Sequence, residues 1–583
     1  MCGDYIAILG HGMAEIVAPA SPLADILGTM STYVRYASDT MVLFCGEDVS
    51  TLSLPDGSIL LGSLFTRDGI SLDEEAGLPA LTSQAATRQH IIEKCWGSYL
   101  LIQPDMEGSG ELTITRSPAA AGALPCIYSI RNGSGFLTSD ISLAVQANLY
   151  RKRIDWDFMI RRLKHPHIKM QRTALAEVAE LLPGCSLSLH GTTPLSIDQA
   201  WSPWHFVIPE RRQCDPREAA ARIRHAVASS IHAWAATDRA ILLELSGGLD
   251  SSIVAAGLSD CHARVTCCNL ATPVPGVDER HYAGLMASQL GTGLHTEQLD
   301  LDRARLDFDI SASSVAPGMG PLQYAIDRTM EDLAERHGAT AYYSGGGGDS
   351  VFCYLRTAAP AADAFRARGL GDAITAAKDL SSLHQCTLWK AGRLTLSKLR
   401  RPPTSPYRED ATFIAPGTAS TSPEPHPWFA APDDALPGDR ERIFDLAGNQ
   451  LFQDQAARGS KRPLRFPLLS QPVMEACLQA PSWMWISGGR NRALARDAFS
   501  DTLPSEIVNR QSKATYMSYL GAVYERSKHE ISDFLLSGRL QSQGLLDRRA
   551  IAAFLATPLA PRDQTFLRMF DLCMVENWVR HQP

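Results

Sequence analysis

The heptapeptide Ser246-Gly247-Gly248-Leu249-Asp250-Ser251-Ser252 lies between an apolar run, Ile241–Leu245, and a run of helix formers beginning Ser251-Ser252-Ile253-Val254-Ala255-Ala256. Glycines in a strand-to-helix turn let the backbone approach a ligand closely, and the N–H groups at a helix start favour a phosphate. Ser246, Ser251 and Ser252 add hydroxyl donors. Asp250 would repel a bare phosphate, so this residue set calls for Mg²⁺ bridging a carboxylate and phosphate oxygens. The bland alternative is an ordinary Gly-rich turn, and seven such residues at a strand–helix junction count against it. The chain has no Gly-Lys dipeptide, which excludes a Walker-type loop.

A second apolar run leads into a second glycine turn, Ala341-Tyr342-Tyr343-Ser344-Gly345-Gly346-Gly347-Gly348-Asp349. Four glycines could be a flexible linker, but the apolar lead-in and the Asp349, Val351 and Phe352 that follow argue for a structured turn. A third element is Arg510-Gln511-Ser512-Lys513, just past Leu503-Pro504. Taken alone, Lys513 reads as a solvated surface lysine.

Together these three stretches resemble the N-type ATP pyrophosphatases and, within them, the asparagine synthetase superfamily. The resemblance implies ATP and Mg²⁺. Leu245, Ser246, Gly247, Gly248, Leu249, Asp250, Ser251 and Ser252 would hold the pyrophosphate. Asp250 and Asp349 would bind Mg²⁺. Leu270 and the backbone at Ser344 and Gly345 would border the adenosine. Lys513 is the implied catalytic residue, facing the α-phosphate, and the run Arg465-Phe466-Pro467-Leu468 … Ala495-Arg496-Asp497-Ala498-Phe499 matches the family around it. The N-terminal half is similar to the family's glutaminase domain at Gly97-Ser98-Tyr99-Leu100, Arg116-Ser117-Pro118, Pro125-Cys126-Ile127-Tyr128 and Thr138-Ser139-Asp140. Cys2 would be its N-terminal nucleophile. The oxyanion-hole Asn-Gly reads Leu61-Gly62, and no Arg-Gly-Pro clamp lies between residues 30 and 60. The resemblance therefore implies a degenerate, vestigial glutaminase.

The synthetase half departs as well: where asparagine synthetases carry a Glu in the second glycine turn, this chain has Gly346. Loss of ammonia supply and of ammonia handling points to an amine that arrives on a substrate, with glycine leaving room for a larger nucleophile. Gly345–Cys353-Tyr354, His426-Pro427-Trp428 and Phe466-Pro467-Leu468-Leu469-Ser470-Gln471-Pro472 look most like the lasso-peptide cyclase branch. The implied activity is an AMP-forming carboxylate–amine ligase that closes a macrolactam in a precursor peptide, alongside a leader peptidase and a leader-binding partner. A glutamine-dependent asparagine synthetase, a β-lactam synthetase-like ligase and an inactive peptide-binding scaffold are the alternatives.

The elements that must position these residues fall into two regions. Short apolar runs separated by turns (Tyr5–Leu9, Met41–Cys45, Ser58–Leu64, Ser98–Gln103, Glu111–Thr115, Pro125–Ile130) predict an antiparallel sheet with one helix at Thr82–Cys95 and a strand pair near Leu182–Leu195. Near residue 215 the pattern changes. Asp215-Pro216-Arg217-Glu218 is a helix-start signature, and Ile223, Val227 and Ile231 carry that helix to about Ala236. Strands at Ile241–Leu245, Arg264–Leu270 and His295–Leu301 alternate with helices at Ser251–Leu258 and from Asp278 to Gly291, which predicts a parallel doubly wound sheet. The expected division is 1–205 for an α+β, glutaminase-like (Ntn-type) domain and 206–583 for an α/β ATP-pyrophosphatase domain with a helical C-terminal region. Residues 402–437 hold nine prolines and read as a surface loop or lid.

The 583 residues carry 55 Lys and Arg against 63 Asp and Glu, a net charge of −8, which excludes a broadly basic nucleic-acid coat. No apolar run is long enough for a transmembrane helix, and the N-terminus lacks a signal-peptide pattern. Thirteen scattered cysteines without a Cys-x-x-Cys pair read as reduced thiols in a cytoplasmic protein. His165 and His167 read as loop residues rather than metal ligands, and Trp201, Trp204, Trp483 and Trp485 as core.

Overall fold

The computed structural model describes every residue except 1–2, 11, 14–26, 29–30, 74–77, 80, 82, 105–110, 123, 191–194, 275–277, 402, 404, 420–421, 512–514 and 561. Cys2 and Lys513, both singled out above, lie outside the described residues.

Among the described residues the N-terminal part holds twelve strands: β1 Tyr5–Leu9, β2 Thr32–Ala37, β3 Met41–Gly46, β4 Thr51–Ser53, β5 Ile59–Thr66, β6 Cys95–Gln103, β7 Glu111–Arg116, β8 Ile127–Arg131, β9 Ser134–Thr138, β10 Ala179–Glu180, β11 Cys185–His190 and β12 Ser196–Gln199. They form two antiparallel sheets, ordered β10-β8-β9-β1-β3-β2 and β12-β11-β7-β6-β5-β4. The period-2 alternation of β1 explains how they stack. Tyr5, Ala7 and Leu9 pack with Leu61, Leu100 and Leu187 of the second sheet, whereas Ile6 and Ile8 join a separate core on the other face. Helix α1, Gln84–Lys94, places Ile91 against Leu60 and Leu101 on the outer face of the second sheet.

The C-terminal part is organised around β13 Ala240–Glu244, β14 Arg264–Ala271, β15 Leu294–Gln298, β16 Ala341–Ser344 and β17 Leu464–Arg465. These run parallel in the order β15-β14-β13-β16-β17. Helix α2, Pro216–Thr237, starts where Asp215 accepts hydrogen bonds from the N–H groups of Arg217 and Glu218. It shares a core with Ile241 and Leu243. Helix α3, Leu249–Gly257, and α4, Arg280–Gln289, follow β13 and β14, α5, Pro321–His337, packs with Leu242 on the opposite face, and the short α6, Gly348–Val351, follows β16. A parallel sheet covered on both faces must have apolar residues on both sides of its strands, which is why Ala240–Leu243 of β13 are consecutively apolar and buried.

The structure differs from the sequence expectations at several points. Four strands among the described residues, β2, β4, β9 and β10, belong to the N-terminal sheets although no clear apolar run announces them. β15 ends at Gln298, because Asp300 caps a 3-10 turn at Leu301–Arg303. The Pro-rich 402–437 segment is not wholly a surface loop: Phe413, Ile414, His426 and Trp428 are buried, and His426 caps a 3-10 turn at Pro427–Phe429. Trp201, Trp204 and Trp485 are core residues, as expected, and Trp483 packs against a small cluster of alanines. The described cysteines are all free thiols.

Candidate active site

The strand order β15-β14-β13-β16-β17 reverses direction between β13 and β16. In an open α/β sheet the crevice at the carboxyl ends of the two strands that flank such a reversal is where ligands bind. Both glycine turns open there. Glu244, the last residue of β13, pairs with Ser344, the last of β16, so the two turns leave the sheet side by side.

They touch directly. A Cβ on Gly345 would lie 2.5 Å from the Ser251 backbone nitrogen, and one on Gly348 would lie 2.4 Å from the Asp250 carboxyl carbon. The four-glycine run is therefore a close-packed turn and not a linker. Within the first turn the Ser246 hydroxyl accepts from the Gly248 N–H at 3.2 Å and lies 3.0 Å from the Ser251 hydroxyl. Gly248 caps α3 without a side-chain hydrogen bond, which leaves the helix start open. The Ser252 hydroxyl is buried with no hydrogen-bond partner among the described residues. Leu270 lies near the end of the neighbouring strand β14.

Asp250 and Asp349 converge on one atom. Nη1 of Arg492 donates to both Asp250 carboxylate oxygens at 3.0 Å and to Oδ1 of Asp349 at 2.8 Å. Such a point of converging carboxylates also suits a divalent cation, so the residues present fit Mg²⁺. Arg492 follows a hairpin of β18 Ile486–Ser487 and β19 Arg490–Asn491, and its backbone is left-handed at φ 51°. It is buried, packs over the Tyr354 ring, and its Nε has no hydrogen-bond partner among the described residues. Sequence reasoning missed this residue. The only available signal was its place just ahead of the matching run Ala495–Phe499.

Two further arginines hold the frame. Arg510 Nη1 donates to the Gly247 carbonyl at 3.0 Å, Nη2 pairs with Glu279 at 2.7 Å, and the guanidinium lies 4.1 Å from the Tyr282 ring centre. Arg496 donates to the carbonyls of Asn491 and Arg510 at 2.9 and 3.0 Å and to that of Val508. Burial, then the nearby Arg492 and Arg490, pulls the Arg496 guanidinium down to about 10. The matching stretch around Arg496 thus ties β19 to the strand of chain that leads towards Lys513. A third carboxyl stands behind Asp349: burial raises Asp445 above the ordinary range against a Ser350 hydrogen bond, and Asp349 adds to the rise.

The space at Gly346 is not open. A Cβ there would meet the Phe466 ring at 2.9 Å and the Phe452 ring at 3.5 Å, and the two rings lie 5.5 Å apart. Instead of the room expected for a large nucleophile, an aromatic wall stands beside the second turn.

A family model described as asparagine synthase matches residues 222–580. The chain belongs to the asparagine synthase family. That match contains both glycine turns, Arg492, Arg510 and Lys513, and it supports an ATP-dependent amide/carboxylate ligase. Comparison with curated proteins finds no matching relative. Among solved structures, the allosteric regulatory enzyme of purine biosynthesis is similar at 7% identity and a TM-score of 0.22, over 59% of this chain and 89% of that one. A glutamine phosphoribosylpyrophosphate amidotransferase from B. subtilis complexed with ADP and GMP is similar at 9% identity and a TM-score of 0.19, over 59% and 81%. Neither likeness is close enough to add to the argument. Among the described residues no helix is long and apolar enough to cross a membrane, and no group of three or more His, Cys, Asp or Glu is placed to hold a metal by itself.

In the N-terminal sheets the Leu61-Gly62 pair, where the resemblance would put an oxyanion donor, is engaged in the strand ladder. Gly62 lies inside strand β5, and its N–H donates to the Ser50 carbonyl at 2.9 Å. A donor already used in this way has nothing left for a developing oxyanion.

Proposed function

We propose that this protein is an AMP-forming peptide cyclase of the lasso-peptide type, in which a degenerate Ntn-type glutaminase domain (1–205) serves as scaffold for the ligase domain (206–583). A side-chain carboxylate of a precursor peptide attacks the α-phosphorus of ATP. Pyrophosphate leaves, and the carboxylate becomes an acyl-adenylate. The peptide's own N-terminal amine then attacks that carbonyl, AMP leaves, and an isopeptide bond closes the ring. Adenylation makes the carbonyl reactive, and holding both peptide ends makes closure effectively unimolecular.

The observation that carries this reading is the pairing of two intact turns with an altered acceptor side. Asp250 and Asp349 converge beside an open helix start, which is what ATP cleavage requires. Mg²⁺ held by these two carboxylates would neutralise phosphate charge. Ser246, Ser251, Ser252 and the N–H groups of α3 would orient the pyrophosphate, with Leu270, Ser344 and Gly345 at the adenosine. Arg492 pairs with both carboxylates, and its guanidinium would be available to phosphate oxygens when those carboxylates hold Mg²⁺. By the family resemblance, Lys513 would face the α-phosphate. On the acceptor side no acid stands at Gly346. Phe466 and Phe452 give an apolar wall suited to the organic part of a peptide and unsuited to free ammonia.

The test is mass spectrometry of a precursor peptide incubated with the protein, ATP and Mg²⁺. Loss of one water from the peptide, with AMP formed in equal amount and no need for glutamine, supports the cyclase. Glutamine-dependent conversion of free aspartate to asparagine would replace it with an asparagine synthetase.

A further inference from the structure

Among the described residues, most large apolar side chains that face solvent are concentrated in one short region. Phe365, Leu370, Ile374, Leu388, Trp389, Leu394 and Leu396 are exposed there, against only Tyr33, Val34, Ile70 and Ile208 elsewhere. All seven lie on three consecutive helices, α7 Ala359–Arg368, α8 Leu370–Leu383 and α9 Leu388–Arg400, which pack on one another. Their shared interior is made mostly of alanines: Ala361, Ala364, Ala376, Ala377 and Ala391, with Leu380 and Ile486. Helix α9 commits only Ala391 and Thr395 to full burial. Leu388, Leu394 and Leu396 are left partly in solvent, and Trp389 is 83% exposed.

Charge is as unevenly placed as the apolar surface. Thr387–Arg401 holds Lys390, Arg393, Lys398, Arg400 and Arg401 and no Asp or Glu, in a chain whose net charge is −8. Lys398 is anchored to Glu441. On the outward face Trp389, Arg393, Leu396 and Arg400 recur at helical spacing, so arginine and apolar side chains share one stripe.

We propose that α7–α9 is a docking surface for an anionic lipid bilayer. A basic helix with Trp and Leu on its exposed face lies in the plane of a membrane interface, with the rings and aliphatic groups at the acyl boundary and the arginines reaching lipid phosphates. A protein partner is the less fitting occupant, because protein interfaces exclude charge from their apolar centre, whereas here arginine runs through it. The same face of a second copy is opposed by like charge. The far side of α8 packs on the β18–β19 hairpin that leads into Arg492, so docking would hold the ATP site near the bilayer surface. The proposal does not depend on which peptide or amine the enzyme uses.

The experiment is flotation of the full-length protein with vesicles of phosphatidylcholine alone and of phosphatidylcholine with equimolar phosphatidylglycerol. The wild type should float with the anionic vesicles only, and high salt should release it. Arg393→Gln with Arg400→Gln should lower partitioning roughly 25-fold, at about fivefold for each charge. The blue shift of tryptophan emission on binding should vanish in Trp389→Phe. Unchanged thermal unfolding of each variant would show that the loss is not misfolding. No flotation, equal flotation on neutral vesicles, or undiminished flotation of the double variant overturns the proposal. Retention on polyglutamate without flotation overturns it too, in favour of an acidic protein partner.

Discussion

Replacing Arg492 by Gln should make the nucleotide-free protein bind divalent metal more tightly while making the enzyme slower. One guanidinium nitrogen spans Asp250 and Asp349, whose side chains are 14% and 37% exposed. A cation entering between them must first break hydrogen bonds from Arg492. A hydrogen bond to a charged group is worth about 1.5–3 kcal/mol, so giving up even one lowers metal affinity about tenfold or more. Arg492→Gln removes this competitor, and Mn²⁺, followed by loss of its free-ion paramagnetic signal, should bind at least about tenfold more tightly without ATP. The same variant leaves two carboxylates facing each other, so without metal it should be less stable by about 1–3 kcal/mol, and Mg²⁺ should restore most of the loss. With Mg·ATP the lost phosphate contact should slow AMP release about a hundredfold, on the order of 3 kcal/mol. Weaker or unchanged Mn²⁺ binding in Arg492→Gln would refute the idea that guanidinium and metal take the same place.

Other residues give separate tests. Asp250→Ala or Asp349→Ala should abolish AMP formation in a folded protein, and near-normal turnover in either would remove the two-carboxylate assignment. Cys2→Ala should leave peptide cyclisation intact, since the Gly62 N–H is used by Ser50; a loss restored by ammonium would show a working glutaminase. Lys513→Ala should lower single-turnover AMP release about a hundredfold with little change in ATP binding, and a near-wild-type rate would return that lysine to the surface. His426 supplies a pH test: its Nδ1 accepts from the Trp428 N–H, Nε2 lies 3.0 Å from the Gln450 carbonyl oxygen, and burial lowers it to about 4 against that hydrogen bond. Because the unfolded chain takes up the proton first, stability is full above about pH 6.5 and falls by ~3 kcal/mol as pH drops to about 4. His426→Gln should flatten that part of an urea-unfolding series against pH, and an unchanged slope would contradict the assignment.

The parallel sheet and both glycine turns could be read from sequence because their signals are local. β13 and β16 begin as apolar runs, Ala240–Leu243 and Ala341–Tyr343, and each leads into glycines with an aspartate close behind. The close packing of Gly345 and Gly348 on the Asp250 turn explains why those positions are glycine, but it joins segments a hundred residues apart, and no window of sequence contains it. Arg492 was invisible for the same reason. A left-handed arginine after a two-glycine hairpin carries no motif, and its role arises only when the chain returns to the switch point. β2 was missed because on this edge strand Thr32 is buried while Tyr33, Val34 and Arg35 are all exposed, so neither face carries an apolar alternation. The Pro-rich segment misled in the opposite direction, since prolines mark irregular backbone but say nothing of whether Trp428 is buried beneath it.

The central claim, that a peptide carboxylate is activated on ATP at the paired turns, is tested most directly by isotope transfer. The acceptor carboxylate of a precursor peptide is labelled with heavy oxygen, and the nucleotide product is examined after one turnover. Attack at the α-phosphorus predicts one labelled oxygen in AMP and none in pyrophosphate, with the label absent when Asp349 is replaced by Ala. Label in inorganic phosphate together with ADP, or unlabelled AMP beside a closed ring, would contradict the account.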